Sequence, residues 1–246
     1  MPHFFITPEQ IQGTKITVGG ADVRHIKDVL RMKAGDGLTF GDGEKALEYN
    51  AVISEIGADS IICELLYAQA TDHELPAKIH LFQGLPKGDK MDLVIQKAVE
   101  LGVHEIIPVA AGRSVVRLSD KKAADKTRRW QAISEAAAKQ SRRQNIPVVR
   151  HPLGFAEAVA LAVAMDIRII PYEMAGGFDK TKSIIAAIRP GQSVAVFIGP
   201  EGGFESREIE LALEAGLSAI TLGPRILRTE TAGLVVLSWM MYELGQ

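Results

Sequence analysis

The sequence predicts an α/β protein in two parts. A small β-rich domain spans residues 1–72, and a larger domain built on a parallel sheet spans residues 73–246. Three observations carry this reading. Short β-type runs separated by Gly/Asp turns fill the first seventy residues. A polar stretch, Ala70 to Pro76, ends in proline and reads as a linker. Beyond it, strand-like and helix-like segments alternate, the pattern of a parallel sheet covered by helices on both faces.

The elements follow in order. Phe4 to Ile6 and Lys15 to Val18 are the first strands. Ala21 to Met32 places Val23, Ile26, Val29 and Leu30 at helical spacing. Gly35-Asp36-Gly37 and Gly41-Asp42-Gly43 bracket a strand at Leu38 to Phe40; Tyr49 to Ile56 and Ser60 to Leu66 complete a small barrel. After the linker come a strand at Lys78 to Leu85, an amphipathic helix at Asp89 to Leu101 and a strand at Glu105 to Val109. A long basic helix, Asp120 to Arg143, keeps Trp130, Ile133 and Ala137 on its buried side. Helices at Phe155 to Met165, Lys180 to Ile188, Glu205 to Ala215 and Glu230 to Glu243 then alternate with strands at Ile167 to Ile170, Val194 to Ile198 and Ala219 to Leu222.

Composition excludes several classes. Apolar residues make up 47% and charged residues 24%, so a packed core is expected and disorder is not. The single cysteine, Cys63, lies in an apolar run, reads as a small buried residue, and rules out an intrachain disulfide, which fits a reducing cytosol. The N-terminus lacks a signal peptide's basic and apolar regions, and no run is long enough to span a bilayer. The six histidines form no His-x-x-x-His pair, so no metal is expected. The phosphate-cradling P-loop, the dinucleotide fingerprint and the Gly-x-Ser-x-Gly elbow are all absent.

Net charge is only −2, but its distribution is uneven. Arg113 to Arg143 holds ten basic and three acidic residues, a local +7 against −9 for the remainder. Such a stretch is an electrostatic footprint for a polyanion, or else a solvated helix face.

Two loops carry unusual chemistry. Ile198-Gly199-Pro200-Glu201-Gly202-Gly203-Phe204 follows one β run, and Leu222-Gly223-Pro224-Arg225-Ile226-Leu227-Arg228-Thr229-Glu230-Thr231-Ala232 follows another. Glycines allow close backbone approach to a ligand, and amides at a helix start can donate to a carboxylate. Glu201 repels phosphate and suits a partly cationic ligand; the zwitterion S-adenosylmethionine fits that mix.

These loops resemble those of the knotted SPOUT methyltransferases, and more closely the family of 16S ribosomal RNA uridine-N3 methyltransferases. The resemblance extends through Lys87-Gly88-Asp89-Lys90-Met91-Asp92, Gln96 to Val103, Arg113-Ser114, Trp130, Glu135 to Ala137, Gln140 to Arg143 and Ile146-Pro147. In the small domain it includes Arg24-His25 and Val29 to Arg31. One departure is Glu205, where that family usually has Ser as a helix N-cap, with Glu208 completing a capping box.

The resemblance implies a C-terminal domain with a deep trefoil knot, an N-terminal PUA-like β-barrel, bound S-adenosylmethionine and a homodimer. It implies methylation of N3 of a uridine in the 16S rRNA of the small ribosomal subunit. Arg228, then Arg225, would stabilise the uracil anion, or else serve as structural arginines. Glu201 is the acid–base candidate, or a cofactor contact. Cofactor contacts are expected from Glu173, Ile198, Gly199, Glu201, Gly202, Gly203, Leu222, Gly223, Ile226, Leu227 and Thr229. RNA contacts are expected from Arg24, Arg31, Arg113, Arg117, Arg129, Arg142 and Arg143. The rival readings are an RNA-binding assembly factor with an inactive pocket, and a methyltransferase acting on a ribose 2′-hydroxyl of another RNA.

Overall fold

The computed structural model describes residues 1–43, 47–71, 73–116, 118–173 and 175–245. They form two compact units, residues 1–74 with 138–146 and residues 75–137 with 147–246.

The first unit is a curled six-stranded sheet. Its strands are β1 (His3–Phe5), β2 (Ile11–Gln12), β3 (Lys15–Gly19), β4 (Gly37–Gly41), β5 (Leu47–Ile56) and β6 (Ser60–Ala70). Their order is β1-β4-β5-β6-β3-β2, parallel only between β1 and β4. The sheet curls into a half-barrel, in line with the PUA-like barrel expected. Alternation places Ile16 and Val18 inward while Lys15 and Thr17 face out; Leu38, Phe40, Ile53, Ile61 and the buried Cys63 complete the core. Strand β6 runs on into the start of the expected linker.

The helical segment expected over Ala21 to Met32 is shorter and changes its winding. A four-residue α1 (Ala21–Arg24) passes into a π-helical turn, His25–Val29, in which the Leu30 amide donates to the His25 carbonyl. The wider π turn rotates its last residues outward. Val23 and Ile26 are buried as the spacing requires, but Val29 and Leu30 are exposed.

Residues 138–146 belong to this unit through charged ties. Lys139 pairs with Asp22 at 3.0 Å. Glu74 accepts from the Arg143 guanidinium and from the Gln144 and Asn145 amides.

The second unit is an α/β layer structure on a parallel sheet. Its strands are β7 (Lys78–Gly84), β8 (Glu105–Ala110), β9 (Val148–Val149), β10 (Leu153–Gly154), β11 (Ile167–Pro171), β12 (Ser193–Ile198) and β13 (Ser218–Ile220). The order is β10-β8-β7-β12-β11-β13, with β9 also on β8. The helices are α2 (Lys90–Glu100), α3 (Asp120–Gln140), α4 (Phe155–Ala162), α5 (Phe178–Ala186), α6 (Ser206–Glu214) and α7 (Thr229–Glu243). Residues 194–198 of β12 are buried without alternation, as a strand covered on both faces must be. At the centre Phe82 stacks on Phe197 with ring centroids 4.4 Å apart, and Phe155 meets Phe197 edge-on.

Helix α3 ends at Gln140, three residues before the sequence-based expectation. Arg142 takes a left-handed φ of 57° and the Arg143 amide reaches back to the Ala138 carbonyl, a C-terminal stop that usually recruits glycine. On the buried side Trp130 and Ala137 are joined by Ser134, whose hydroxyl donates to the Pro147 carbonyl, while Ile133 is only half-buried. No described helix is long and apolar enough to cross a membrane.

Candidate functional site

Parallel strands deliver their carboxyl ends to one edge of a sheet, where ligands collect. Here β12, β11 and β13 are neighbours in that order, with Ile169 opposite Val196 and Ile170 opposite Ala219. Three loops therefore leave the same edge: 171–173, 199–205 and 221–228. Together they enclose a cavity of about 640 Å³.

The 199–205 loop is held at both sides. Gly84, at the end of β7, lies so close that a Cβ there would stand 2.5 Å from Pro200 Cδ. Only glycine lets the loop cross at that point. Gly203 turns back with a φ of 67°, and its amide donates to the Pro200 carbonyl at 2.8 Å. Arg113 Nη1 donates to the Gly202 carbonyl at 3.1 Å. At the α6 start, Glu205 stands as N-cap and its amide donates to Glu208 at 2.8 Å. Glu208 also accepts from the Gly112 amide, so this carboxylate serves two loops.

A relay of hydroxyl and amide groups ties the 221–228 loop to its neighbours. Gln83 Nε2 donates to Thr229 Oγ1 at 2.8 Å, and Thr229 Oγ1 donates to the Gly199 carbonyl at 2.6 Å. Thr181 Oγ1 accepts from the Thr221 amide and donates to the Thr221 carbonyl. The Tyr172 amide donates to the Ile220 carbonyl at 2.9 Å. Each bond joins residues of different elements, so the cavity walls are fixed by the whole unit.

Every residue expected to contact a cofactor lines this cavity. Glu173 comes from the first loop. Ile198, Gly199, Glu201, Gly202 and Gly203 come from the second. Leu222, Gly223, Ile226, Leu227 and Thr229 come from the third. Arg225 and Arg228 line it too, both exposed; Ile226 is 86% exposed. Thr229 is 5% exposed, and its hydroxyl is spent on the relay.

Glu201 ties the loop to Lys87 and Lys90. Its carboxylate accepts from Lys90 Nζ at 2.9 Å and from the Lys87 amide at 3.1 Å. Burial pushes its carboxyl up, but the Lys90 hydrogen bond, backbone amides and the Lys90 charge outweigh this and hold it below the ordinary glutamate value. Such a carboxylate is a weak base.

The expected RNA contacts divide. Arg24 and Arg31 are exposed on the first unit, Arg31 with a left-handed φ of 53°. Arg142 is exposed, and Arg113 is tied to the cavity loop. Arg129 pairs with Asp92 and lies 4.0 Å from Asp89. Arg143 does not fit the expected surface role: it is 3% exposed and clasps Glu74. Arg117 lies outside the described residues. Sequence reasoning missed Lys90, Thr181 and Thr221 as parts of the site. The sequence signals for Lys90 are its place in the Lys87 to Asp92 motif and a cation at a helix start, where the macrodipole disfavours it.

Comparison with known proteins identifies the family. A family profile for an RNA methyltransferase domain matches residues 73–241, and one for an RNA methyltransferase PUA domain matches residues 18–66. The chain belongs to this RNA methyltransferase family. The Bacillus subtilis strain 168 ribosomal RNA small subunit methyltransferase E is 36% identical, over 99% of this chain and 97% of its own. A protein of the same name from Synechocystis is 31% identical, over 95% and 75%. A crystal structure of the Neisseria gonorrhoeae ribosomal RNA small subunit methyltransferase E, bound to S-adenosyl methionine, has a TM-score of 0.84. It is 35% identical and covers 98% of this chain and 97% of its own. Among the described residues no cluster of three or more His, Cys, Asp or Glu is placed to hold a metal ion.

Proposed function

We propose that this protein methylates N3 of a uridine in the 16S rRNA of the small ribosomal subunit, using S-adenosylmethionine, as part of ribosome biogenesis in the cytoplasm. The observation that carries the reading is one cavity bringing together the Gly199 to Phe204 and Leu222 to Ala232 loops. Its volume of about 640 Å³ suits a cofactor. Its glycine-lined walls admit close approach, Leu222, Ile226 and Leu227 supply apolar contact, and Glu173 and Glu201 supply negative charge. These residues fit a bent zwitterion that carries a cationic centre. The trefoil knot, in which the 221–228 segment is threaded, belongs to the same reading. So does a homodimer; the exposed Tyr242 and half-buried Leu234, Trp239 and Met241 leave α7 an apolar face for a second copy.

When bound, the cofactor supplies a methyl group on a sulfonium. Transfer would form the N3–C bond as the S–C bond breaks, leaving a neutral thioether, with the N3 proton passing to solvent before or during attack. The chain's own contribution is orientation and charge. The Arg228 side chain is 80% exposed at the cavity wall and can meet the negative charge spreading onto O2 and O4. Arg225 is placed to assist.

The deciding experiment incubates the protein and labelled S-adenosylmethionine with small subunits lacking the modification, then reads the rRNA by mass spectrometry. Label on a uracil base at N3 is the expected outcome. Label on a ribose would move the target to a 2′-hydroxyl. No label, with no heat of cofactor binding by calorimetry, would leave an RNA-binding assembly factor.

A further inference from the structure

Four charged groups form an alternating row, of which Lys90, Glu201 and Arg228 line the cavity. Lys90 Nζ lies 2.9 Å from Glu201 Oε1 and 3.5 Å from Glu230 Oε2, and Glu230 Oε1 lies 4.0 Å from Arg228 Nη1. Exposure changes sharply along the row. The Glu230 side chain is 16% exposed and the Lys90 side chain 33%, whereas the Arg228 side chain is 80% exposed. A carboxylate as covered as Glu230 needs a counter-charge. Two cations compete for it, and the lysine stands closer.

The position of Lys90 is otherwise unfavourable. It is the first residue of α2, where the helix macrodipole repels a cation. Its stem buries no core position, and Glu201 already has the Lys87 amide as a donor. The remaining consequence of its placement is electrostatic: Lys90 offsets part of the Glu230 charge from 3.5 Å, closer than Arg228 at 4.0 Å.

We propose that Lys90 is a positioning residue for methyl transfer: by offsetting part of the Glu230 charge it weakens the pull of that carboxylate on the Arg228 guanidinium, which stays at the edge of ion-pair distance and available to the uracil anion. Without Lys90, Glu230 recruits Arg228 and the cavity loses the cation placed for the base. This inference rests on the function proposed above, in which Arg228 meets the base.

The test is a set of single-turnover methylation rates on small subunits lacking the modification. It compares wild type, Arg228→Ala, Lys90→Met, Lys90→Arg and the double variant Lys90→Met/Glu230→Gln. Lys90→Met is expected to slow the reaction about tenfold, within the range by which members of one ion-pair network couple. Lys90→Arg restores most of the rate. The double variant recovers it as well, because a neutral glutamine no longer captures Arg228 although Glu201 is still without its lysine. A role confined to clamping Glu201 predicts no recovery. In the protein without cofactor, proton exchange at Arg228 Nε, followed by NMR, is expected to slow in Lys90→Met and to return in the double variant. Lys90→Gln stands in where Lys90→Met does not fold.

A Lys90→Met rate equal to wild type overturns the inference, as does a double variant as slow as the single one. Those results leave the parent reading intact provided that wild type labels the uridine and Arg228→Ala is slow. A wild type without activity, or an Arg228→Ala protein as fast as wild type, overturns the parent reading itself.

Discussion

At the residue scale, the arginines of this chain are sorted by what surrounds them. Arg228 sits at the N-cap of α7 with its side chain open to the cavity, whereas Arg143 is enclosed with Glu74. Arg228→Ala should lower turnover about 10²-fold, the effect of removing one charge-stabilising donor, while calorimetry shows cofactor affinity little changed. Equal losses in both would mark Arg228 as a structural residue. His3 shows a different residue-scale effect. Burial lowers its imidazole from 6.5 to about 4, against the attraction of Glu48. The unfolded chain takes up that proton at the ordinary value and the folded one resists it. Stability from this residue is therefore full above 6.5, falls as pH drops, and levels off below about 4. His3→Gln should flatten the dependence of the thermal midpoint on pH across that window; parallel curves would contradict the assignment.

At the element scale, the site depends on crossings that no single element explains. The end of β7 must be bare for the 199–205 loop to pass, which is why Gly84 stands there. Gly84→Ala would drive a Cβ against backbone and ring atoms of Pro200 at 2.5 Å. Denaturant unfolding should show a loss of about 1–3 kcal/mol, the cost of overpacking, together with weaker cofactor binding. Native values of both would mean the loop yields freely. The strands themselves were legible in the sequence, because β12 and its neighbours read as short apolar runs between turn signals. The two-residue strands β9 and β10 were not, since two residues carry no period. Nor was the π turn after α1: Val29 and Leu30 fit a helical stripe by spacing, and only the changed winding turns them outward.

At the scale of the whole molecule, folding pairs part of the charge that the sequence concentrates in one stretch. The stretch from Arg113 to Arg143 carries +7 in sequence, but Arg128, Arg129, Lys139 and Arg143 each face a carboxylate. The polyanion footprint is thus smaller than the count, and Arg24, Arg31 and Arg142 contribute without such pairing in the ion pairs described. Arg24→Ala should reduce the slope of log affinity for rRNA against log salt by about one. Arg143→Ala should leave that slope unchanged and cost about 3 kcal/mol of stability, as breaking a covered ion pair does. A reduced slope for Arg143→Ala would return it to the RNA surface.

The sequence by itself determined the alternation of strands and helices, the placement of Cys63 in the core, and the two loops that meet at the cavity. These are local in the chain: period, turn chemistry and motif are read from neighbours. Tertiary structure alone decided which charges are spent. Glu201 meets Lys90 across more than a hundred residues, Arg143 meets Glu74, and Thr229 meets Gln83 and Gly199. Such pairs arise from the order of strands in the sheet, and spacing along the chain carries no record of which side chains that order brings within hydrogen-bonding distance.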